Sequence, residues 1–139
     1  MSAQKQMYNV TVLMSENELL AHYIRSECHL KMILDDMASL VSLRELEFRL
    51  ALVRHCADYF EEAQQLIEKA TQASRALLNI YQRRRLEDEW IVMPEERKTL
   101  AEVFRMADVV QFLLSRRENM TAIKRAKEEL ASKAMFGIV

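Results

Sequence analysis

Residues 42–89 read SLRELEFRLALVRHCADYFEEAQQLIEKATQASRALLNIYQRRRLEDE and contain neither glycine nor proline. Their apolar residues recur at helical spacing. Leu46, Val53, Phe60, Ile67 and Tyr81 fall in a seven-residue series, and Cys56, Ala63, Ala70 and Leu77 form a second series at the same period. Leu52, Tyr59, Leu66, Ala73 and Ile80 widen the stripe on one side, and Leu50, Ala57 and Leu78 widen it on the other. A stripe this broad exceeds a two-stranded coiled-coil seam and predicts a helix covered by several neighbours. Unbroken, it would run about 70 Å at ~1.5 Å per residue.

The rest of the chain reads the same way. Gly137 and Pro94 are the only glycine and proline in 139 residues. Few turns with positive φ and few kinks are available, so the chain should be a handful of long helices. Upstream, Ser15-Glu16-Asn17-Glu18 is a capping box that opens a first helix. Its stripe is Leu19, Leu20, Tyr23, Ile24, Leu30, Ile33, Leu34 and Met37. A second box, Ser42-Leu43-Arg44-Glu45, sets the next start, with a tight break near Leu40–Ser42. Downstream, Pro94 suits the first turn of a third helix, with Glu95 and Glu96 at its positive end. Leu100, Val103, Phe104, Ala107, Val110 and Leu114 form its stripe. Asn119 or Thr121 caps a fourth helix running from Ala122 to about Ala134.

The expected fold is all-α and bundle-like: a long helical hairpin over residues 15–93 and two shorter helices over 94–139, packed on the same domain. Residues 1–14 form a short extended arm, in which Tyr8-Asn9-Val10-Thr11-Val12 alternates like a strand. Trp90-Ile91-Val92-Met93 is the other β-like stretch, and Met135–Val139 is an apolar tail. The wide stripe on the second helix invites a partner helix, so a homodimer is expected.

Composition excludes more than it assigns. A formal charge of −1 gives no electrostatic footprint for nucleic acid or membrane, although residues 94–139 carry nine bases against seven acids. No leader and no apolar run of the ~18 residues needed for a membrane span is visible. Two cysteines do not make a secreted disulfide framework, so a cytoplasmic protein is expected. With one glycine, neither glycine-rich phosphate loop can exist. The residues three before the histidines are Leu19, Ser26 and Leu52, so the Glu-x-x-His pattern of di-iron bundles is absent. No catalytic residue and no cofactor is assigned.

Three constellations remain. Folding back near Ser42 would bring Cys28-His29 opposite His55-Cys56, residue types that zinc prefers. Adjacent helical residues diverge by about 100°, however, so four-fold convergence is strained. A thiol or metal sensor through Cys28 and Cys56 is the third functional reading. Arg83-Arg84-Arg85, with acids four residues on at Glu87-Asp88-Glu89, is either a self-paired face or a patch for an acidic partner or RNA. Finally, Thr99–Val109 followed by Ser115-Arg116 resembles the turn and recognition helix of bacterial repressors. It departs in carrying Asp108 at the turn glycine and bulky Phe104 at a small position. The resemblance implies DNA binding through residues 94–127.

The first reading is a non-enzymatic helical interaction protein: an adaptor, small chaperone or regulator that binds itself and another protein. Its candidate partner-binding residues are Arg83, Arg84, Arg85, Arg116, Arg117 and Phe136.

Overall fold

The computed structural model describes residues 16–132. The arm at Tyr8–Val12, the cap at Ser15 and the tail with Phe136 lie outside them. So do the side chains of Leu19, Leu20 and Tyr23. Among the described residues the chain is five α-helices without a strand: α1 Glu16–Leu34, α2 Leu40–Cys56, α3 Ala63–Glu87, α4 Pro94–Leu113 and α5 Arg116–Ala131. Trp90–Met93 is the loop between α3 and α4, with Val92 tucked into the core.

The helices stop without glycine. Asp36 adopts a left-handed backbone at φ 57°. Its N–H reaches the Ile33 carbonyl at 3.1 Å, and the Met37 N–H reaches the Met32 carbonyl at 2.8 Å. That is the Schellman pattern, with aspartate where glycine is usual. Asp88, at φ 59°, closes α3 on the Arg84 carbonyl in the same conformation. Aspartate tolerates this region better than most residues because its short side chain bonds locally.

Two predicted boundaries move. The α2 cap is Ser39, whose Oγ accepts the Ser42 N–H at 3.2 Å. Ser42 is therefore inside the first turn, fully buried, and the reversal centres near Met37 rather than Ser42. The α5 cap is Ser115, not Asn119 or Thr121. Its Oγ accepts the Glu118 N–H at 3.1 Å while the Glu118 carboxylate takes the Ser115 N–H at 2.9 Å. Asn119 lies buried one turn in, and its amide donates to the Gln111, Leu114 and Ser115 carbonyls, tying off the end of α4.

The long second helix is broken. A 3-10 turn at Ala57–Tyr59 follows α2, Phe60 is extended at φ −122° and ψ 151°, and α3 starts at Ala63. The break puts Phe60 against the second core cluster instead of continuing the stripe outward. Asp58, Glu61 and Glu62 gather just before α3, where its dipole favours acids.

This break makes α2 the centre of the bundle. It packs against α1, α3, α4 and α5, and Leu43, Leu46, Leu50, Leu52 and Val53 are all fully buried. One core cluster joins Leu30 and Ile33 of α1, Leu46 and Leu50 of α2, Leu77 and Ile80 of α3, and Leu100 and Phe104 of α4. A second joins Leu52 and Cys56 of α2 to Val110 and Leu114 at the end of α4 and to Ala122 and Ala126 of α5. The α2 part of the wide stripe is thus covered by the chain's own helices, while Tyr59 beyond it is exposed. No helix among the described residues is long and apolar enough to cross a membrane.

Candidate functional site

The four cysteine and histidine candidates do not converge. Because the chain reverses near Met37, His29 lies beside Ser42, with Nδ1 3.3 Å from its Oγ. Arg25 and Ser26 share a small pocket with Glu45 and Arg49. Cys28 is therefore level with about residues 43–46 of α2, whereas Cys56 lies at least ten residues further on, about 15 Å or more at ~1.5 Å per residue. Cys28 is exposed and Cys56 is buried. Burial pushes the Cys56 thiol up to about 12, against a smaller opposing influence of Arg49, so it is held as a neutral thiol. His55 turns to Glu129 of α5, with Nε2 3.3 Å from the carboxylate. Among the described residues no group of three or more His, Cys, Asp or Glu is placed to hold a metal ion. The reading of Cys28 and Cys56 as one sensor site loses the juxtaposition it required.

His55 instead borders a polar knot that the sequence did not disclose. Arg54 of α2 donates to Glu47 one pair of turns earlier (3.4 Å), to Ser74 of α3 (3.1 Å) and to Glu129 of α5 (3.0 Å). Ser74 also donates to Glu47, at 3.1 Å. Burial raises the Glu47 carboxyl above its usual range, with Arg54 and Ser74 opposing. This knot and the Arg49–Asp108 pair, at 2.6 Å, fix how α3, α4 and α5 sit on α2. Both are joints between helices.

The arginine block divides in the same way. Arg83 clasps Glu96 of α4 with both terminal nitrogens, at 2.9 and 2.7 Å, and also donates to the Ile91 carbonyl. Its partner is thus not the acid four residues on, because the loop returns Glu96 to it. Arg84 pairs with Asp88 and lies over the Trp90 ring, 5.5 Å from its centre. Arg85 lies over Tyr81 at 6.0 Å. Arg83 and Arg84 secure the corner between α3 and α4, and Arg85 is exposed.

The second arginine pair is different. Arg116 and Arg117 are the first two residues of α5, and both are exposed. A helix N-terminus carries partial positive charge, so a cation there costs roughly 0.3–1 kcal/mol rather than stabilising the helix. Such a breach of a local rule is typical of functional positions. Directly before this pair, α4 carries a feature missed in the sequence. Val109, Phe112 and Leu113 are 54%, 59% and 59% exposed, at the i, i+3, i+4 spacing that puts them on one face. Met120, further along α5, is exposed as well. The signal was present: Val109-Val110 and Phe112-Leu113-Leu114 hold more apolar residues than one inward stripe can bury. Reading back along α4, the exposed residues Lys98, Glu102, Arg105, Val109 and Phe112 alternate at spacings of four and three, the period of a helix-pairing seam.

The repressor-like stretch has no turn at its expected place. The α4 helix runs unbroken from Pro94 to Leu113, and Asp108 is a helical residue bonded to Arg49. The pocket of about 20 Å3 lined by Arg25, Ser26, Glu45, Phe48 and Arg49 has room for about one water. The chain matches no protein-family model, no curated protein and no solved structure.

Proposed function

We propose that this is a non-enzymatic helical interaction protein of the adaptor, small-chaperone or regulator kind, acting in the cytoplasm and binding another protein through the outer face of α4. The observation that supports this most is the exposed cluster of Val109, Phe112 and Leu113, followed in the chain by exposed Arg116 and Arg117. Large apolar side chains gathered on one helix face carry a solubility cost, and such patches mark interaction sites. Spacing of i, i+3 and i+4 is also how helices present anchors to one another. Self-association into a homodimer belongs to the same proposal, although the α2 part of the stripe over residues 42–89 packs against α1, α3, α4 and α5.

Co-purification tests the reading. Phe112→Glu with Leu113→Glu should abolish recovery of a stoichiometric partner protein, and Gln72→Glu on exposed α3 surface should leave it unchanged. Recovery indifferent to all three substitutions would refute the reading.

A second reading, DNA binding through residues 94–127, draws support from the exposed bases of α4 and α5. It predicts duplex affinity that falls with salt and with Arg116→Ala plus Arg117→Ala. No binding at low salt removes it.

A further inference from the structure

The sequence makes residues 94–139 only mildly basic, yet the fold sorts their charges. Every lysine and arginine described between residues 94 and 132 is exposed. The acids are divided. Glu96 bonds Arg83, Asp108 bonds Arg49, Glu118 caps its own helix, and Glu129 bonds Arg54. Only Glu95, Glu102 and Glu128 of the described acids there are exposed. Acids of the C-terminal pair thus neutralise arginines of α2 and α3, while the lysines and arginines of α4 and α5 face out. On α2, α3 and the turns that flank them the exposed charge is instead mainly acidic: Asp58, Glu61, Glu62, Glu68 and Glu87–Glu89 against Arg44, Lys69, Arg75 and Arg85.

From this charge sorting we infer that the partner received by α4 is an acidic amphipathic helix: apolar residues along one face, glutamates or aspartates beside them. This rests on the interaction reading above. Val109, Phe112 and Leu113 supply the apolar contact, and Arg105, Arg116 and Arg117 stand on either side of it along the chain. The seam from Lys98 to Leu113 is about 22 Å long at ~1.5 Å per residue, enough for four turns of a partner helix. Exposed, complementary charge at such a rim sets partner choice and association rate more than final affinity.

The same residues disfavour the other occupants. A second copy laid antiparallel on this face, centred on the apolar cluster, brings Arg105 of each copy towards the arginine pair of the other. A nucleic acid or an anionic lipid surface presents uniform negative charge, yet Glu102 lies within the seam between Lys98 and Arg105. Against a nucleic acid, Val109 and Leu113 also add nothing to the phosphate contacts that position it.

The test uses the full chain and labelled three-heptad synthetic helices with leucines on one face, flanked by glutamate in one peptide and by lysine in its twin. The glutamate peptide should bind at least about tenfold tighter than the lysine peptide, and more weakly as salt rises. The exposed double variant Arg105→Glu/Arg117→Glu should invert that preference, and Phe112→Ser should remove binding of both. Equal binding of the two peptides, still lost in Phe112→Ser, would overturn the acidic assignment while leaving the interaction face standing. Absence of binding by either peptide overturns it too, and photo-crosslinking from position 112 then shows whether the face itself survives. Tighter binding to phosphatidylserine vesicles or to duplex DNA than to the glutamate peptide, or self-association abolished by Leu113→Glu, would assign the surface to those occupants instead.

Discussion

Replacing Asp108 with alanine should cost more stability than replacing Arg49 with methionine, although each removes the same 2.6 Å ion pair. The asymmetry follows from burial: the Arg49 side chain is 7% exposed and that of Asp108 is 26% exposed. Burial is the largest influence on Arg49 and draws its pKa below the ordinary guanidinium value, with the Asp108 carboxylate opposing. At an effective dielectric constant of about 20, two charges 2.6 Å apart attract by roughly 6 kcal/mol. Desolvation of the two ions offsets most of that. Removing Asp108 leaves a buried guanidinium without its principal counter-charge, which costs about 3–5 kcal/mol. Removing Arg49 leaves a carboxylate that already reaches water, and methionine refills much of the space, so the cost should stay under about 2 kcal/mol. Urea unfolding followed by far-ultraviolet circular dichroism, at equal m-values, measures both. A loss in Arg49→Met equal to or larger than that in Asp108→Ala would show that burial of Arg49 does not set the asymmetry.

Three further outcomes are expected. Because burial raises the folded-state Glu47 pKa, stability tied to its protonated form is complete below the ordinary value of 4.5 and is lost as pH rises through the higher folded value. Glu47→Gln should therefore show a shallower fall than wild type above pH 4.5 in a series of unfolding curves, and an unchanged difference at all pH values would contradict this. Gln111 is 1% exposed with neither side-chain amide atom bonded, so Gln111→Leu should stabilise by about 1–2 kcal/mol in the same assay. Destabilisation would show that the amide has a partner in solution. Titration with dithionitrobenzoate should find Cys28 reacting in the native protein and Cys56 only after denaturation, and two fast native thiols would contradict the packing of α2.

The elements themselves were legible because periodicity is written in the residues that get buried. Pro94 opens α4, and Leu100, Val103, Phe104, Ala107, Val110 and Leu114 all face the core as their spacing predicts. The stops were harder to see, because Asp36 and Asp88 take left-handed conformations usually given to glycine. The break at Ala57–Glu62 contains no breaker residue; only the run of acids before Ala63 hints at a helix start. Ser39 and Ser42 are both plausible caps, and tertiary burial of Ser42 decides between them. Reading Ser42 as the reversal shifted α1 against α2 and so misplaced Cys28 opposite Cys56. The joints between helices were invisible for a different reason. Arg49–Asp108, Arg83–Glu96 and Arg54–Glu129 link distant positions, and nothing local marks them. The outward face of α4 was overlooked because Val109, Phe112 and Leu113 sit among residues that are buried.

A photo-crosslinking side chain on the outer face of α4 shows whether a partner sits there. Benzoylphenylalanine placed at Phe112, and as a control at exposed Gln72 on α3, should be irradiated in the source cell. A partner-binding face on α4 gives one discrete protein adduct from position 112 and none from position 72. No adduct at either position, or the same adducts from both, would contradict it.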